Sequence, residues 1–326
     1  MTTSGTLALL IPAYNAATFL PRLLRSATAQ TRLFDEVWVY DDCSTDNTAE
    51  VAQSFGARVV RGDKNLGCTY GKNALLDQTT CDWVHFHDAD DELLHGFVER
   101  AHTWITRDAW DAIVFGSVQR DEETGKDEAA AIHSAEALSE DAVRYTIRTK
   151  INSICGIYRR AAFLAAGGFD TDPAVLYNED VATHCSLARA GLRFSADPEI
   201  FMINWRRAGS MSGANQVKCF RAQLQVLLKS KAGDGQGKYG AEIAERLWEV
   251  ATAAATYVDW ETADESARVA FELAGLPRSQ SPAFRALCRL GPPLALRLRE
   301  GLIRLIKPQR RTDYPAWRLA RTCRQA

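Results

Sequence analysis

Apolar residues occur at two different spacings in the first two thirds of the chain. Residues 7–11 (LALLI) form an uninterrupted apolar run, which is typical of a strand covered on both faces. From Phe19 to Ala27, apolar residues recur instead at helical spacing. Runs and helical segments keep alternating, which predicts a largely parallel sheet with helices on both faces. The expected strands are residues 7–11, 37–40, 57–60, 83–87, 112–115, 154–158 and 200–205.

Two segments depart from this alternation. Residues 121–140 are polar and acidic, with Gly125 as a turn residue, and they predict an exposed hairpin or loop. Beyond residue 215 the pattern is helical only. We therefore expect an α/β domain over residues 1–213 that carries the chemistry, and a helical region over residues 214–326.

Size and composition exclude several classes of protein. With 326 residues, 46% hydrophobic and 25% charged, the chain is long enough to bury a sizeable core. No run approaches the roughly 18 apolar residues that span a bilayer. The N-terminus lacks the basic region of a signal peptide and predicts a first strand. Eight cysteines are scattered without CxxC spacing, which favours a reduced, cytoplasmic chain over a disulfide framework or a zinc site.

The C-terminal tail is opposite in charge to the rest of the chain. From Ala283 onward there are 11 Lys and Arg residues against Glu300 and Asp313, so the tail carries +9 and the remainder −11. Its leucines at 294, 298, 302 and 305 line one helical face. Such a helix favours an anionic membrane surface, here the inner face. The alternative is a helix packed on the protein with solvated arginines. Nucleic acid is not expected, since few aromatic residues interleave the arginines.

Three carboxylates follow the strand expected at residues 83–87. Asp88, Asp90 and Asp91 lie within four positions, at the edge where open α/β sheets bind ligands. Unit charges about 5 Å apart, at an effective dielectric constant of roughly 20, repel by about 3 kcal/mol per pair. A cation is therefore expected among them, and oxygen ligands suit Mg²⁺ or Mn²⁺ better than zinc. The alternative is a solvated turn that caps a helix beginning near Glu92.

Further turns and acidic pairs follow other strands or open a helix, and each is weak evidence alone. In this order and spacing, however, they resemble the family 2 glycosyltransferases of the GT-A fold. The resemblance covers roughly residues 6–212. Its parts are PAYN (12–15), DDCSTDNT (41–48), NLG (65–67), GKN (71–73), DADD (88–91), GGFD (167–170), ED (179–180) and WRRAGSMS (205–212). Cys43 stands where the family usually has glycine, and Ala208 or Gly209 where it often has a histidine that helps hold the metal.

The resemblance implies a fold and a reaction. The fold is a mixed sheet flanked by helices, and the reaction is an inverting transfer of a sugar from a nucleoside diphosphate to an acceptor hydroxyl. A UDP-sugar is the first expectation for the donor. The acceptor would be a glycan or a lipid-linked glycan, in polysaccharide or lipopolysaccharide synthesis. Mn²⁺ or Mg²⁺ would neutralise the leaving diphosphate.

The resemblance also implies roles for individual residues. Asp90 and Asp91 are the first candidates for metal ligands, and Asp88 is the third. The residues expected to bind the nucleotide sugar are Pro12, Ala13, Tyr14, Asn15, Asp42, Lys72, Asp88, Ala89, Asp90 and Arg206. Inversion by a single displacement needs one general base, for which Asp180 is the first choice and Glu179 the alternate.

Ordinary structural interpretations stand beside these roles. Lys72 and Arg206 are equally interpreted as solvated surface cations. Glu179 and Asp180 are also interpretable as charges that compensate the dipole at a helix N-terminus.

Two other classes of function remain open. One is a nucleotide-sugar-binding protein that keeps the fold without catalysis. The other is a metal-dependent hydrolase in which His85 and His87 bind the metal. The alternation of side chains along a strand would place both histidines on the same face.

Overall fold

The computed structural model describes residues 5–207, 215–276 and 281–307. These residues form two compact units. Unit 1 contains the described chain as far as Thr171 together with Glu179–Arg207, and unit 2 contains Asp172–Asn178 and the described residues after Arg207. The domain boundary expected at residue 213 lies outside the described residues.

Unit 1 is built on one nine-stranded sheet. Its strands are β1 Leu7–Ala13, β2 Glu36–Asp41, β3 Arg58–Arg61, β4 Trp83–Phe86, β5 Glu92–Leu93, β6 Ala112–Asp121, β7 Asp127–Ala131, β8 Gly156–Arg159 and β9 Phe194–Arg206. Their order is β3-β2-β1-β4-β8-β6-β9-β5, and β7 pairs with β6. Strand β1 pairs in parallel with β2 and β4, so Leu10 lies beside both Trp38 and Phe86. Every residue of β1 is buried, which explains its uninterrupted apolar run.

The sheet is mixed, and the largely parallel sheet expected from the alternation of elements is wrong. Strand β8 lies between β4 and β6 and runs antiparallel to both, whereas β6 and β9 pair in parallel. All four residues of β4 and three of the four in β8 are buried. A strand covered on both faces is apolar in either direction, so its sequence carries no signal of direction. The mixed sheet implied by the family resemblance is confirmed.

Eight α-helices belong to the described part of unit 1. They are α1 Leu20–Thr28, α2 Thr48–Ser54, α3 Cys68–Gln78, α4 Phe97–Ile105, α5 Ala135–Glu140, α6 Ala142–Arg148, α7 Arg160–Ala165 and α8 Glu179–Arg189. Helix α4 begins later than the helix expected near Glu92. Residues 92–93 pair with β9 as strand β5, and Gly96, with φ +84°, precedes the first turn of α4.

The polar segment at residues 121–140 is a hairpin only in its first half. Strand β7 pairs antiparallel with the end of β6, and all five of its residues are exposed. Helix α5 then begins, capped by the Ser134 hydroxyl, and buries Leu138. One buried leucine among polar residues gives no helical period, so the sequence pattern does not predict this helix.

The Asn73 side chain joins two distant motifs of unit 1. Asn73 Nδ2 donates to the Phe169 carbonyl at 3.0 Å, and the Phe169 N–H donates to Asn73 Oδ1 at 2.8 Å. Gly168 has φ +73°, and a Cβ at this position would lie 2.7 Å from Asn73 Oδ1. The GKN and GGFD motifs therefore hold helix α3 beside the segment that follows α7.

The described residues of unit 2 are helical, as the sequence pattern predicts. A 3₁₀ turn at Pro173–Val175 is followed by α9 Gln216–Ala232, α10 Gly240–Thr256, α11 Trp260–Ala274, α12 Pro282–Cys288 and α13 Pro292–Ile306. Leu247 and Trp248 of α10 are almost completely buried. Among the helices described, none combines the length and the apolar composition needed to cross a membrane.

Candidate active site

Hydrogen bonds tie together the loops that follow β1 and β2. Asn15 Oδ1 accepts the backbone N–H of Thr45 at 2.8 Å, and the N–H of Asn15 donates to Ser44 Oγ at 2.9 Å. Since β1 and β2 are parallel neighbours, these loops lie at the same edge of the sheet. This edge is where open α/β folds bind ligands.

Asp42 brings a third loop to the same edge. Its two carboxylate oxygens accept the backbone N–H groups of Leu66 and Gly67, at 2.8 Å and 2.7 Å. Asp42 is 4% exposed. Its contact in the structure therefore organises the NLG turn, and its contact with a nucleoside stays a prediction.

The PAYN turn offers one exposed ring. Pro12 and Ala13 are the last residues of β1 and are buried, whereas Tyr14 is 51% exposed. Gly71 allows helix α3 to approach β2, because a Cβ there would lie 2.7 Å from the Tyr40 ring, and it would lie 3.4 Å from Pro12 Cβ. The Tyr14 ring is accessible for stacking on a planar ligand.

Asp91 connects the acidic cluster to strand β9. Its Oδ2 accepts from Asn204 Nδ2 at 2.8 Å, and its Oδ1 accepts from the Trp205 N–H at 2.9 Å. Burial and the nearby charges of Asp88 and Asp90 raise the pKa of Asp91 well above its ordinary value. Both oxygens are used within the protein, so these contacts favour an anchoring role over the predicted role as a metal ligand.

Asp90 is an accessible carboxylate of the cluster, as is Asp88. Its Oδ2 lies 2.8 Å from Arg207 Nη2, and 36% of its side chain is exposed. Arg22 donates to the Asp90 carbonyl. Burial, followed by the charge of Asp88, raises the pKa of Asp90 despite the two arginines. The ion pair with Asp90 thus involves Arg207, whereas Arg206 is the last residue of β9. The contact of Arg206 with a diphosphate stays a prediction.

Lys72 lies at the centre of the site. Its ammonium is 3.3 Å from Asp88 Oδ1 and donates to Ser153 Oγ at 2.8 Å. Lys72 is 1% exposed, so the interpretation as a solvated helix lysine is wrong. Burial lowers its pKa, but the charges of Asp88 and Asp180 outweigh burial, and the pKa lies above the ordinary lysine value. Lys72 is therefore a buried, charged ammonium.

Asp180 opens helix α8 beside this ammonium. Burial raises its pKa, but Lys72 and Lys150, together with smaller contributions, bring the pKa below the ordinary aspartate value. Burial and the charge of Asp180 raise the pKa of the neighbouring Glu179. Asp180 is thus the better ionised member of the pair at neutral pH. Its Oδ1 is buried and accepts no hydrogen bond from the described residues.

The acidic cluster presents two accessible carboxylates to a cation, Asp88 and Asp90. Within residues 5–207, 215–276 and 281–307, no group of three or more His, Cys, Asp or Glu side chains is placed to hold a metal ion. The negative charge that raises the pKa of Asp90 fits a divalent cation. Mg²⁺ usually takes one or two carboxylates and fills its shell with phosphate oxygens and water. The cluster therefore fits a metal that binds together with a diphosphate.

His85 and His87 do not form a metal site. Both are fully buried, and the ring of His85 packs 4.6 Å from that of Phe97. His85 Nδ1 lies 2.8 Å from the Gly156 carbonyl, and burial lowers the pKa of His85 to about 4. These neutral core side chains do not support the hydrolase interpretation.

Sequence reasoning missed several residues that organise the site. Ser153 contacts Lys72, Asn204 holds Asp91, and Arg22 and Arg207 hold Asp90. Ser153 and Asn204 belong to no recognisable motif. Arg207 follows Arg206 in the WRR sequence, and alternation along the strand could have shown that the two arginines point to opposite sides. Ala208 and Gly209 lie outside the described residues.

Solved structures with the same fold contain nucleotide sugars. S. aureus TarS 1-349 in complex with UDP-GlcNAc is similar with a TM-score of 0.67 and 17% identity, over 92% of this chain and 92% of that chain. The mannosyltransferase PcManGT from Pyrobaculum calidifontis, in complex with GDP-Man and Mn²⁺, has a TM-score of 0.57 and 19% identity, over 95% and 83%. At these identities the likeness establishes the fold alone, which is the GT-A fold.

Sequence similarity identifies the family. The succinoglycan biosynthesis protein ExoO of Rhizobium meliloti is 25% identical over 312 residues, which is 91% of this chain and 87% of that protein. Another curated relative is 36% identical, but the aligned part spans only 29% of its length. Residues 8–164 match the model of “Glycosyl transferase family 2”, and the chain therefore contains a domain of this family. The family and the fold implied by the motifs are both confirmed.

Lys72→Gln should shift the acidic limb of the pH profile for sugar transfer. Because Lys72 lowers the pKa of Asp180, the carboxylate stays ionised until the pH falls below the ordinary aspartate range. Loss of the ammonium raises that pKa, so kcat/KM should begin to fall at a pH about one unit higher.

Lys150→Gln is the matched control, since Lys150 also lowers the pKa of Asp180 but is exposed to solvent. Screening should make its shift clearly smaller. Circular dichroism establishes that both variants are folded. An acidic limb that stays in place in folded Lys72→Gln would contradict the coupling between Lys72 and Asp180.

Proposed function

We propose that the protein transfers a sugar from a nucleoside diphosphate to an acceptor hydroxyl, with inversion at the sugar carbon, in the synthesis of a polysaccharide, lipopolysaccharide or lipid-linked glycan. One observation carries the proposal: the buried Lys72 ammonium lies 3.3 Å from Asp88 of the acidic cluster, and the charge of Asp180 of helix α8 also raises its pKa. Asp88, a candidate for metal binding, and Asp180, the candidate base, thus belong to one site. A catalytically inactive binding protein does not explain why a buried carboxylate is kept ionised there.

The donor is expected in the loops beyond β1, β2 and β4. Tyr14 supplies an exposed ring for the nucleobase, and the linked loops around Asn15 and Asp42 give a fixed backbone for the ribose. A UDP-sugar is the first donor to test, and the TarS complex with UDP-GlcNAc supports this choice. The name of ExoO supports a glycan acceptor.

A divalent cation completes the donor site. Asp90 and Asp88 would hold Mn²⁺ or Mg²⁺, and Asp91 would keep the loop in place from β9. The cation, when bound, neutralises the charge that develops on the leaving diphosphate. The Mn²⁺ in the PcManGT structure supports this choice of metal.

Asp180 acts as the general base in this reaction. Its unpartnered Oδ1 accepts the proton of the acceptor hydroxyl while the oxygen of that hydroxyl bonds to the sugar carbon and the bond to the diphosphate breaks. Lys72 keeps the carboxylate ionised before the reaction. A single displacement of this kind inverts the configuration at the sugar carbon.

Asp180→Asn should abolish transfer and leave donor binding intact. The amide keeps the size of the side chain but cannot accept the proton, and loss of a general base typically costs about 10²- to 10⁴-fold in kcat. Transfer is followed with UDP-sugars and Mn²⁺, and UDP affinity is measured by calorimetry. Glu179→Gln is the matched control and should retain much more activity. Full activity in Asp180→Asn would remove Asp180 from the mechanism.

Asp90→Asn should weaken the binding of Mn²⁺ in the presence of UDP by at least about tenfold, since one of two carboxylate ligands is lost. The affinity is measured by electron paramagnetic resonance of the free Mn²⁺. Asp77→Asn, which changes an exposed aspartate of helix α3, is the control for net charge and should not alter the affinity. Equal affinity in Asp90→Asn and the unchanged protein would place the cation elsewhere.

Helix α13 supports a second proposal, that unit 2 binds an anionic membrane surface. Ala295, Leu296 and Glu300 of this helix are buried, whereas Leu298 and Leu302 are 48% and 57% exposed. The remaining exposed apolar side chains of this region are Leu290, Leu294, Leu305 and Ile306. The predicted leucine face thus remains accessible in the described residues. The charge of +9 from residue 283 onward favours an anionic lipid surface over another apolar protein face.

The double variant Leu298→Asp, Leu302→Asp should lose binding to vesicles that contain anionic phosphatidylglycerol. Removal of two exposed leucines from a lipid contact should cost about tenfold or more in affinity. Leu33→Asp is the control, because Leu33 is 61% exposed in unit 1. Co-sedimentation measures the binding. Self-association that the double variant abolishes, without vesicle binding by the unchanged protein, would identify a protein partner instead and overturn the proposal.

A further inference from the structure

Arg207 is held at the acidic cluster by only part of its guanidinium. Its Nη2 lies 2.8 Å from Asp90 Oδ2, and its side chain is 31% exposed. The guanidinium carbon lies 3.9 Å from the centre of the Phe19 ring. Its Nη1 is buried and donates to no group within the described residues. One donor of this cation therefore holds Asp90, while another is buried without an acceptor among the described residues.

The second arginine at Asp90 differs in its contacts. Arg22 donates to the Asp90 carbonyl and forms an ion pair of 2.9 Å with Glu122. Its guanidinium also lies 4.6 Å from the centre of the Trp205 ring. Arg22 thus holds the backbone of the acidic cluster and leaves the Asp90 carboxylate free. Arg207 contacts the same carboxylate that a divalent cation would need.

We infer that Arg207 occupies the Asp90 carboxylate until the donor arrives, competes there with the divalent cation, and then binds the donor diphosphate. This inference rests on the metal-dependent transfer proposed above. A guanidinium and a divalent cation repel each other, so a cation that binds Asp90 weakens the contact of Arg207 with Oδ2. The exchange is possible because an ion pair that is one third exposed is weak.

The stacking on Phe19 keeps the released guanidinium in the site. A cation–π contact of this kind is attractive, and it does not depend on Asp90. Nη1 already lacks an acceptor, and a phosphate oxygen is the group that a guanidinium fork binds well. The cation and the diphosphate would therefore bind together. The cation would replace Arg207 at Asp90, and the diphosphate would replace Asp90 as the acceptor for Arg207.

The test is a titration of the full-length protein with Mn²⁺ in the absence of nucleotide, followed by electron paramagnetic resonance. Arg207→Ala should bind Mn²⁺ about three- to tenfold more tightly than the unchanged protein, because the competitor is gone. Arg207→Lys, which keeps the charge, should fall between the two. Arg206→Ala is the matched control and should not change this affinity, because Arg206 forms no ion pair with Asp90.

The second arm measures UDP at saturating Mn²⁺. Arg207→Ala should lose about fivefold or more in UDP affinity, because the contact with the diphosphate is lost. Thermal unfolding in the presence of EDTA establishes that each variant is folded.

Two failures are distinguishable. If the affinity for Mn²⁺ is the same in the unchanged protein and in Asp90→Asn, the metal site in the proposed function is wrong. If Mn²⁺ binding depends on Asp90 but is equal or weaker in Arg207→Ala, only the competition is overturned.

Discussion

The interaction on which the site depends is the burial of the Lys72 ammonium among carboxylates. A buried cation is costly unless it is paired; here Asp88 forms the ion pair, and the charge of Asp180 also raises the pKa of Lys72. The buried ammonium has two consequences. It offsets negative charge next to the acidic cluster, and it keeps Asp180 ionised although that carboxylate is buried. In the proposed reaction, the charge of Lys72 thus influences both the group that serves departure of the diphosphate and the group that removes the proton.

The rest of unit 1 holds these groups in place with backbone and side-chain hydrogen bonds. Asp42 and Asn15 link the loops after the parallel strands, and Asp91 fixes the acidic cluster to β9. The three aspartates of DADD therefore have three different roles. Asp88 faces the lysine, Asp90 is accessible to a ligand, and Asp91 is an anchor. The three roles depend on how far each side chain is buried, and the sequence of residues 88–91 alone does not show burial.

The sequence predicted well where local patterns decide the structure. The apolar run of β1 and the helix that begins at Glu179 follow from strand burial and helix-terminal charge. The direction of β8 was beyond such patterns, because it depends on partners far away along the chain. The same holds for Ser153 and Asn204, whose importance comes from the long-range contacts they make. The order of the motifs indicated the family. Tertiary packing determines which of the two arginines pairs with Asp90, and in the structure it is Arg207 rather than Arg206.

The most direct test of the account is a crystal structure of the protein with Mn²⁺ and UDP, with the cation located by its anomalous scattering. We expect Mn²⁺ at Asp90, with the terminal phosphate of UDP directed towards the Lys72 ammonium and Asp180. Mn²⁺ and UDP bound in a cleft that does not contain Asp180 would contradict the claim that the acidic cluster and the base serve one reaction.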